Sequence, residues 1–211
     1  MNTSRLPDGY FERLYRTASD PWGLQDRWYE RRKYALTVAS LPQQRYRRVL
    51  EPGCSVGVLT AMLAARCDEL IATDVVESAL GVTEQRVAST PGLGTVQCRR
   101  WALGSPWARL GRFDLVVLSE VGYYLQAEAL QASLDTIVDH LDPGGHLLCV
   151  HWQHPAPDYP LTGAQVHRIA HSTAGLSPLA SYRDPDFHLD VFTRGPASSV
   201  AALDGLLDQA D

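Results

Sequence analysis

From Arg48 onward, short apolar runs alternate with stretches of helical periodicity, and this alternation is the strongest constraint on the fold. The runs are RVLEP, ELIATD, GTVQC, FDLVVLS and GHLLCVHW. Between them the spacing predicts helices near 57–66, 77–88 and 126–141, the last closed by LDPGG, a proline and glycine stop signal. DLVVL is apolar on both faces, as strands at the centre of a covered parallel sheet are. The expected class is therefore α/β, with helices on both sides of the sheet. Ahead of it, residues 8–18 and 26–40 read as two helices around the turn SDPWG. After it, a helix is expected over 163–174. LASYRD and FHLDVFTR follow as two strand-like runs that suit an edge hairpin, and SSVAALDGLLDQAD as a capped amphipathic helix with a frayed end.

A chain of 211 residues is long enough for one domain with a substantial core and short for two. The net charge of −5 argues against a non-specific nucleic-acid binder. Lys33 is the only lysine beside eighteen arginines, which reads as the base composition of a GC-rich genome. Arg31, Arg32 and Lys33, like Arg45, Arg47 and Arg48, read as solvated surface clusters. Four scattered cysteines without a CxxC pair fit neither a disulfide framework nor a zinc site and suit a reducing compartment. With no apolar signal core and no run of membrane-spanning length, a cytoplasmic protein is expected.

The turn after RVLEP, Gly53-Cys54-Ser55-Val56-Gly57, points to a ligand. A P-loop needs GxxxxGK[ST], and this turn has no lysine. A dinucleotide fingerprint needs GxGxxG, and its second and third glycines are missing in register. Glu51 stands two residues ahead of Gly53. A carboxylate there repels a pyrophosphate but favours S-adenosylmethionine (SAM), which presents an ammonium and a sulfonium. Asp74 ends the second run about twenty residues on, where it can accept hydrogen bonds from both ribose hydroxyls. Glu51, Gly53, Cys54, Ser55, Gly57, Asp74 and the adjoining Val75 are thus candidate cofactor residues. Cys54 invites a nucleophile reading, but no His or Asp near it in sequence activates it. The plainer reading is a small residue lending its backbone N–H.

Four segments carry a family resemblance: DPWGLQDRWYERRKYALTVASLP, LEPGCSVGVLTAMLAARCDELIATD, RFDLVVLSEVGYYL and HWQHPAPDYPLTGAQVH. Together they resemble the seven-strand SAM-dependent methyltransferases, and more narrowly the group similar to NodS, the nodulation N-methyltransferase. The resemblance covers residues 10–193. It implies a three-layer Rossmann-like sandwich whose seven-stranded sheet runs 3-2-1-4-5-7-6 with the last strand antiparallel. It also implies a helical lid over residues 1–45 on a methyltransferase domain over 46–211, the whole being one structural domain. The activity implied is methyl transfer from SAM to an amine, for which the free amine of a deacetylated chitooligosaccharide is the group's known acceptor. S-adenosylhomocysteine (SAH) is the product. Two departures stand out. Ser55 replaces the middle glycine, and CRRWALGSPW lacks the acidic residue usual after the third strand, leaving Trp101 and Ala102 to pack on the adenine. If the N-terminal segment is a lid, Tyr29 and Arg32 reach the cofactor, Arg32 pairing with its carboxylate.

In an open α/β sheet the ligand lies off the carboxyl ends of the strands, which gathers Glu51, Asp74, Ser119, Glu120, His151 and Trp152 around one crevice. An amine attacks in its neutral form, so a neighbouring base is useful. Glu120 is the first choice and His151 the second. The plainer readings are a cofactor or structural hydrogen bond for Glu120 and a satisfied strand-end histidine for His151. Tyr123 and Tyr124 suit a pocket wall, and Trp152, His154, Asp158 and Tyr159 an acceptor site. His151-x-x-His154 and His167-x-x-x-His171 have metal-like spacings, but no acidic cluster joins them and no metal is expected. The sequence thus points to a cytoplasmic SAM-dependent methyltransferase, monomer or homodimer, acting on a small-molecule amine of a sugar or sugar-like compound, without nucleic-acid or membrane partners. The alternatives are an O- or N-methyltransferase of another secondary metabolite and a non-catalytic SAM-fold partner protein. A NAD-dependent oxidoreductase is more distant.

Overall fold

A computed structural model of the chain describes residues 4–107 and 110–207. Seven strands form one sheet: β1 (Tyr46–Pro52), β2 (Cys67–Asp74), β3 (Thr95–Arg100), β4 (Phe113–Ser119), β5 (Leu141–Trp152), β6 (Leu176–Arg183) and β7 (Phe187–Arg194). Their order is β3-β2-β1-β4-β5-β7-β6. The pairs from β3 through β5 are parallel, while β7 lies antiparallel to both β5 and β6. The implied topology is present, and the LASYRD and FHLDVFTR runs do form an edge hairpin.

Alternate residues of the central strands feed two separate cores. Leu50, Val116, Leu118 and Leu147 pack with Leu130, Leu134 and Ile137 of α5 (Ala127–His140) and Val166 and Ala170 of α6 (Gly163–Ser172). Val49, Leu115, Val117 and Leu148 point the other way, onto Tyr34 of α2 (Trp28–Ala39), Leu59 and Leu63 of α3 (Val58–Ala64) and Leu80 of α4 (Glu77–Ala88). This is why FDLVVLS has no polar face. Each fully buried Leu or Val contributes about 1.5–3 kcal/mol relative to exposure. The LDPGG signal lies at the start of β5 rather than between elements: Gly144 takes φ +75° and the β4/β5 register shifts between Phe113 and Leu115.

The N-terminal helix α1 (Asp8–Thr17) reaches across the carboxyl ends of the strands. Phe11 packs edge-on to Tyr124 and joins Val76 and Ala79 in a small third core. A strap ahead of it is pinned by Leu6 N–H to the Tyr124 carbonyl and Gln126 N–H to the Ser4 carbonyl. In the turn SDPWG, Asp20 accepts from the N–H groups of Leu24 and Gln25, both at 3.0 Å. The expected tail helix is present only as α7 (Val200–Leu203), and residues 208–211 of that expectation lie outside the described residues. Among the described residues no helix is long and apolar enough to cross a membrane.

Candidate active site

The glycine turn is held by its own backbone. Gly53 and Cys54 both donate their N–H groups to the Thr73 carbonyl, at 2.7 and 2.8 Å. This corrects the expectation that the Cys54 N–H serves the ligand: it ties the end of β1 to the end of β2. The Cys54 thiol is buried, and burial pushes its pKa well up, the reverse of what a nucleophile needs. Gly53 takes φ +73°, and a Cβ there would lie 2.3 Å from Val121 Cγ1. Gly57 is the left-handed residue ahead of α3, where a Cβ would lie 2.8 Å from the Thr83 side chain. It packs on α4 and is not on the cavity wall.

Above the turn lies a cavity of about 330 Å³. Glu51, Gly53, Cys54, Ser55, Asp74 and Val75 line the end above the turn, with Trp101, Ala102, Ser119 and Tyr29 also on the wall. Asp74 accepts from the N–H groups of Ser55 and Val76, each at 3.0 Å. Glu51 is 3% exposed, and its Oε2 has no hydrogen-bond partner among the described residues. Burial, with the Asp74 carboxylate nearby, pushes its pKa up to about 8. An unpartnered buried carboxylate of this kind fits a cationic ligand group, which would restore its charged form. The site therefore suits a ligand that carries an ammonium or sulfonium.

The opposite end is aromatic and charged. Tyr123 stacks on Tyr159 with ring centroids 4.9 Å apart, Tyr124 meets both edge-on, and Tyr29 meets Trp152 edge-on. All five rings line the cavity. Glu120 follows β4 with φ +61°. Its Oε1 accepts from Lys33 Nζ at 2.8 Å, and its Oε2 accepts from the Tyr123 hydroxyl and from Trp152 N–H. Lys33 is 2% exposed and also pairs with Glu30 Oε2 at 2.9 Å. Burial alone would lower the Lys33 pKa, but Glu120 and Glu30 outweigh it and hold the ammonium above its usual value.

Ser55 and Glu120 are the two non-glycine residues with positive φ among those described, and both line the cavity. A left-handed serine costs roughly 1–2 kcal/mol, which the surroundings must offset. Ser55 Oγ lies 2.5 Å from the Tyr15 hydroxyl of α1, a hydrogen bond that clamps this helix over the turn. Ser55→Gly is expected to leave the unfolding midpoint within a few degrees, because strain relief offsets the lost bond. SAH should bind several-fold more weakly through faster release. Unchanged release kinetics would show that the Tyr15–Ser55 bond does not hold the helix down.

Several expected site residues lie elsewhere. Arg32 points away from the cavity, to Asp184 Oδ2 and the Tyr182 hydroxyl, both at 2.6 Å, because the edge hairpin offers it a carboxylate there. His154 is exposed and bonds Asp186 at 2.9 Å, and Asp158 is exposed off the cavity wall. His151 is fully buried behind the wall. Its Nε2 accepts from Gly122 N–H at 3.1 Å, and its Nδ1 lies 3.2 Å from His167 Nε2. Burial and the neighbouring imidazoles hold it neutral, its pKa well below the usual value.

The acidic partner absent from the sequence pattern is Asp190. His167 Nδ1 and His171 Nε2 meet its Oδ2 at 2.7 and 3.0 Å, and His188 Nε2 its Oδ1 at 3.2 Å. Desolvation opposes ionisation of Asp190, but these partners win and hold its pKa well below the usual carboxylate range. The rings of His167 and His188 stack at 3.9 Å and 15°, and ligand atoms of His167, His188 and Asp190 lie within 4.8 Å of one another, a spacing that could hold a metal ion. The cluster is read as a chain of imidazoles hung on one carboxylate, which fixes the Gly122 backbone.

Glu30, Lys33, Tyr15 and Trp22 also line the cavity and were not anticipated as site residues. The signal for two of them was present in the sequence. Glu30, Lys33, Tyr34 and Thr37 are the buried stripe of α2, at i, i+3, i+4 and i+7 spacing. That stripe holds the chain's one lysine, so the placement of Lys33 on a solvated surface is corrected.

Residues 10–154 match the family model described as Nodulation protein S (NodS). Nodulation protein S of Rhizobium tropici is 32% identical over 158 residues, which is 70% of this chain and 62% of that protein. The chain thus spans less than two thirds of that relative's length. A crystal structure from Pseudomonas syringae is 41% identical, with 80% of this chain and all of that chain covered and a TM-score of 0.66. The N-methyltransferase NodS of Bradyrhizobium japonicum WM9, crystallised with SAH, is 25% identical. It covers 89% of this chain and 98% of its own, with a TM-score of 0.76. SAH is what SAM leaves after giving up its methyl group, so SAM is the cofactor that this fold and its carboxylate-lined turn accommodate. The chain belongs to the NodS family of SAM-dependent methyltransferases.

Proposed function

We propose that this chain transfers the methyl group of SAM to the amine of a small molecule, an amino sugar or sugar-like compound. The observation that carries the reading is one cavity with two anionic ends, Glu51 with Asp74 at one and Glu30 with Glu120 around Lys33 at the other. A cationic cofactor matches the first end. An amine, protonated on arrival, matches the second better than a neutral hydroxyl does, which favours N- over O-methylation. The stacked Tyr123 and Tyr159 rings and Trp152 offer flat faces suited to a sugar ring.

When bound, SAM supplies a methyl carbon already activated by the sulfonium. The chain's part is to align, desolvate and manage charge, and alignment alone can supply about 7–11 kcal/mol of the barrier. Glu51 would hold the cofactor's cationic end and Asp74 its ribose hydroxyls, with Trp101 and Ala102 against the adenine. Residues up to 45 act as the lid, with α1 and α2 excluding water from the reacting centre. Glu120, its oxygens engaged by Lys33, Tyr123 and Trp152, fixes the wall on which the acceptor rests. The protein works in the cytoplasm as a monomer or homodimer.

The test has two steps. SAM and SAH are expected to raise the unfolding midpoint and NADH to leave it unchanged; no shift with either sulfur compound sinks the reading. Radiolabelled SAM is then offered with glucosamine oligomers bearing a free terminal amine and with their N-acetylated counterparts. Label is expected only in the former, and transfer to neither removes the amino-sugar acceptor.

A further inference from the structure

Glu120 is poorly placed to accept a proton. Oε1 is engaged by Lys33, and Oε2 by the Tyr123 hydroxyl and the Trp152 N–H. Glu30, on the other side of Lys33, differs. It is buried and lines the cavity, and its Oε2 meets Lys33 Nζ as an ion pair without accepting a well-formed hydrogen bond. The neighbouring Tyr29 hydroxyl is likewise buried with no partner among the described residues. A hydroxyl without a partner beside a carboxylate oxygen held only by an ion pair calls for a polar ligand group.

We propose that Glu30 is the catalytic residue that takes the proton from the acceptor's ammonium, while Lys33 shifts its pairing toward Glu120. The inference rests on the methyl-transfer reading above and names the base for it. With both carboxylates ionised and Lys33 protonated, the triad carries one net negative charge, which an arriving ammonium cancels. One N–H bond of the ammonium breaks and an O–H bond forms on Glu30, so the nitrogen keeps its lone pair for attack on the methyl carbon. The triad is then neutral, as Lys33 ammonium and Glu120 carboxylate, and so is the amine. No uncompensated charge is buried at either stage, the condition under which a buried ion cluster is tolerable. Burial already holds the Glu30 carboxyl above its usual value against the pull of Lys33, the direction that favours taking up a proton. The groups facing Glu30 are Tyr29, Lys33 and Tyr34 of its own helix and Glu120 beyond β4.

Glucosamine is the probe. In the SAH complex, calorimetry is expected to show glucosamine binding at least 10-fold more weakly to Glu30→Gln than to the wild type, with SAH affinity unchanged. Single-turnover methylation should fall about 100-fold, and the acid limb of kcat/KM should disappear. Glu30→Gln methylating at the wild-type rate with the same acid limb overturns the inference while leaving the methyl-transfer reading intact. A wild type that binds SAH but methylates no amine overturns that reading and the inference with it. A second measurement reads the proton directly. Glucosamine binding compared in buffers of different ionisation heat should show a proton balance that changes with pH in the wild type and not in Glu30→Gln. The same pH dependence in both proteins overturns the assignment.

Discussion

Asp74→Ala is expected to weaken SAH binding by at least 100-fold while leaving the fold intact. Asp74 holds the turn by accepting from Ser55 N–H and Val76 N–H, and it lines the cavity where ribose hydroxyls are proposed to lie. A hydrogen bond to a charged group contributes about 1.5–3 kcal/mol, so losing two at the binding surface exceeds the roughly 2.7 kcal/mol of a 100-fold change. The cost to stability is smaller. Burial raises the Asp74 pKa against the backbone donors that stabilise its charge, so the unliganded protein sheds a desolvated carboxylate together with its bonds. Asp74→Asn keeps an acceptor and loses the charge, and an intermediate affinity is expected. Calorimetry with SAH and a thermal melt without it separate the two effects. SAH affinity within threefold of wild type for Asp74→Ala would remove this residue from the cofactor site.

Those parts of the fold that depend on local pattern were legible in the sequence. FDLVVLS announced a strand covered on both faces, and from Leu115 to Leu118 its alternate residues do feed separate cores. Asp74 and Glu51 were legible because each sits at a strand end next to the turn, where chain direction alone fixes its position. The antiparallel β7 was implied by the family resemblance and not by periodicity, since FHLDVFTR is equally compatible with either direction.

What pattern did not reveal were partners set by tertiary contact. Arg32 was assigned to the cofactor carboxylate as part of the expected lid, yet Asp184 lies 152 residues away in sequence and claims it. His151 was placed in the crevice by its strand end, but side chains alternate along β5, so Trp152 faces the cavity and His151 the layer behind it. Asp190 was passed over within the strand-like run FHLDVFTR, although a carboxylate at a fully buried strand position requires partners. The stripe of α2 was missed for the converse reason. A search for apolar periodicity passes over a helix whose buried positions are Glu30, Lys33, Tyr34 and Thr37. Polar residues at core spacing are costly to bury, so their presence marks a site more directly than the arginine-rich composition around them suggested.

Lys33→Met carries the largest expected effect on stability, and its pH dependence distinguishes lost charge from lost packing. Methionine fills most of the volume of the lysine stem, so packing is largely kept, while the attraction of the ammonium to the Tyr29 and Tyr34 rings is lost with the charge. The ammonium that both Glu30 and Glu120 share is gone. Breaking a buried pair by removing one partner costs about 3–5 kcal/mol. Glu30 is already raised above its usual value by burial, and Lys33 supplies the main opposing pull, so the variant raises it further. A carboxyl whose folded pKa exceeds its unfolded value gives its full stability below the unfolded pKa and loses it as pH rises through the folded one. The deficit of Lys33→Met should therefore be small at pH 5 and reach several kcal/mol by pH 8, a drop in unfolding midpoint of roughly 10 °C relative to wild type. The deficit is read against the wild type, in which Glu51 titrates alike and cancels, while the Lys33 ammonium, itself raised, titrates above this window. Adding Glu30→Gln to Lys33→Met should recover much of the stability at pH 8, since one buried carboxylate is then neutral. A deficit of equal size at pH 5 and pH 8, unrelieved in the double variant, would mean that Lys33 acts through packing and that the three residues do not share one charge.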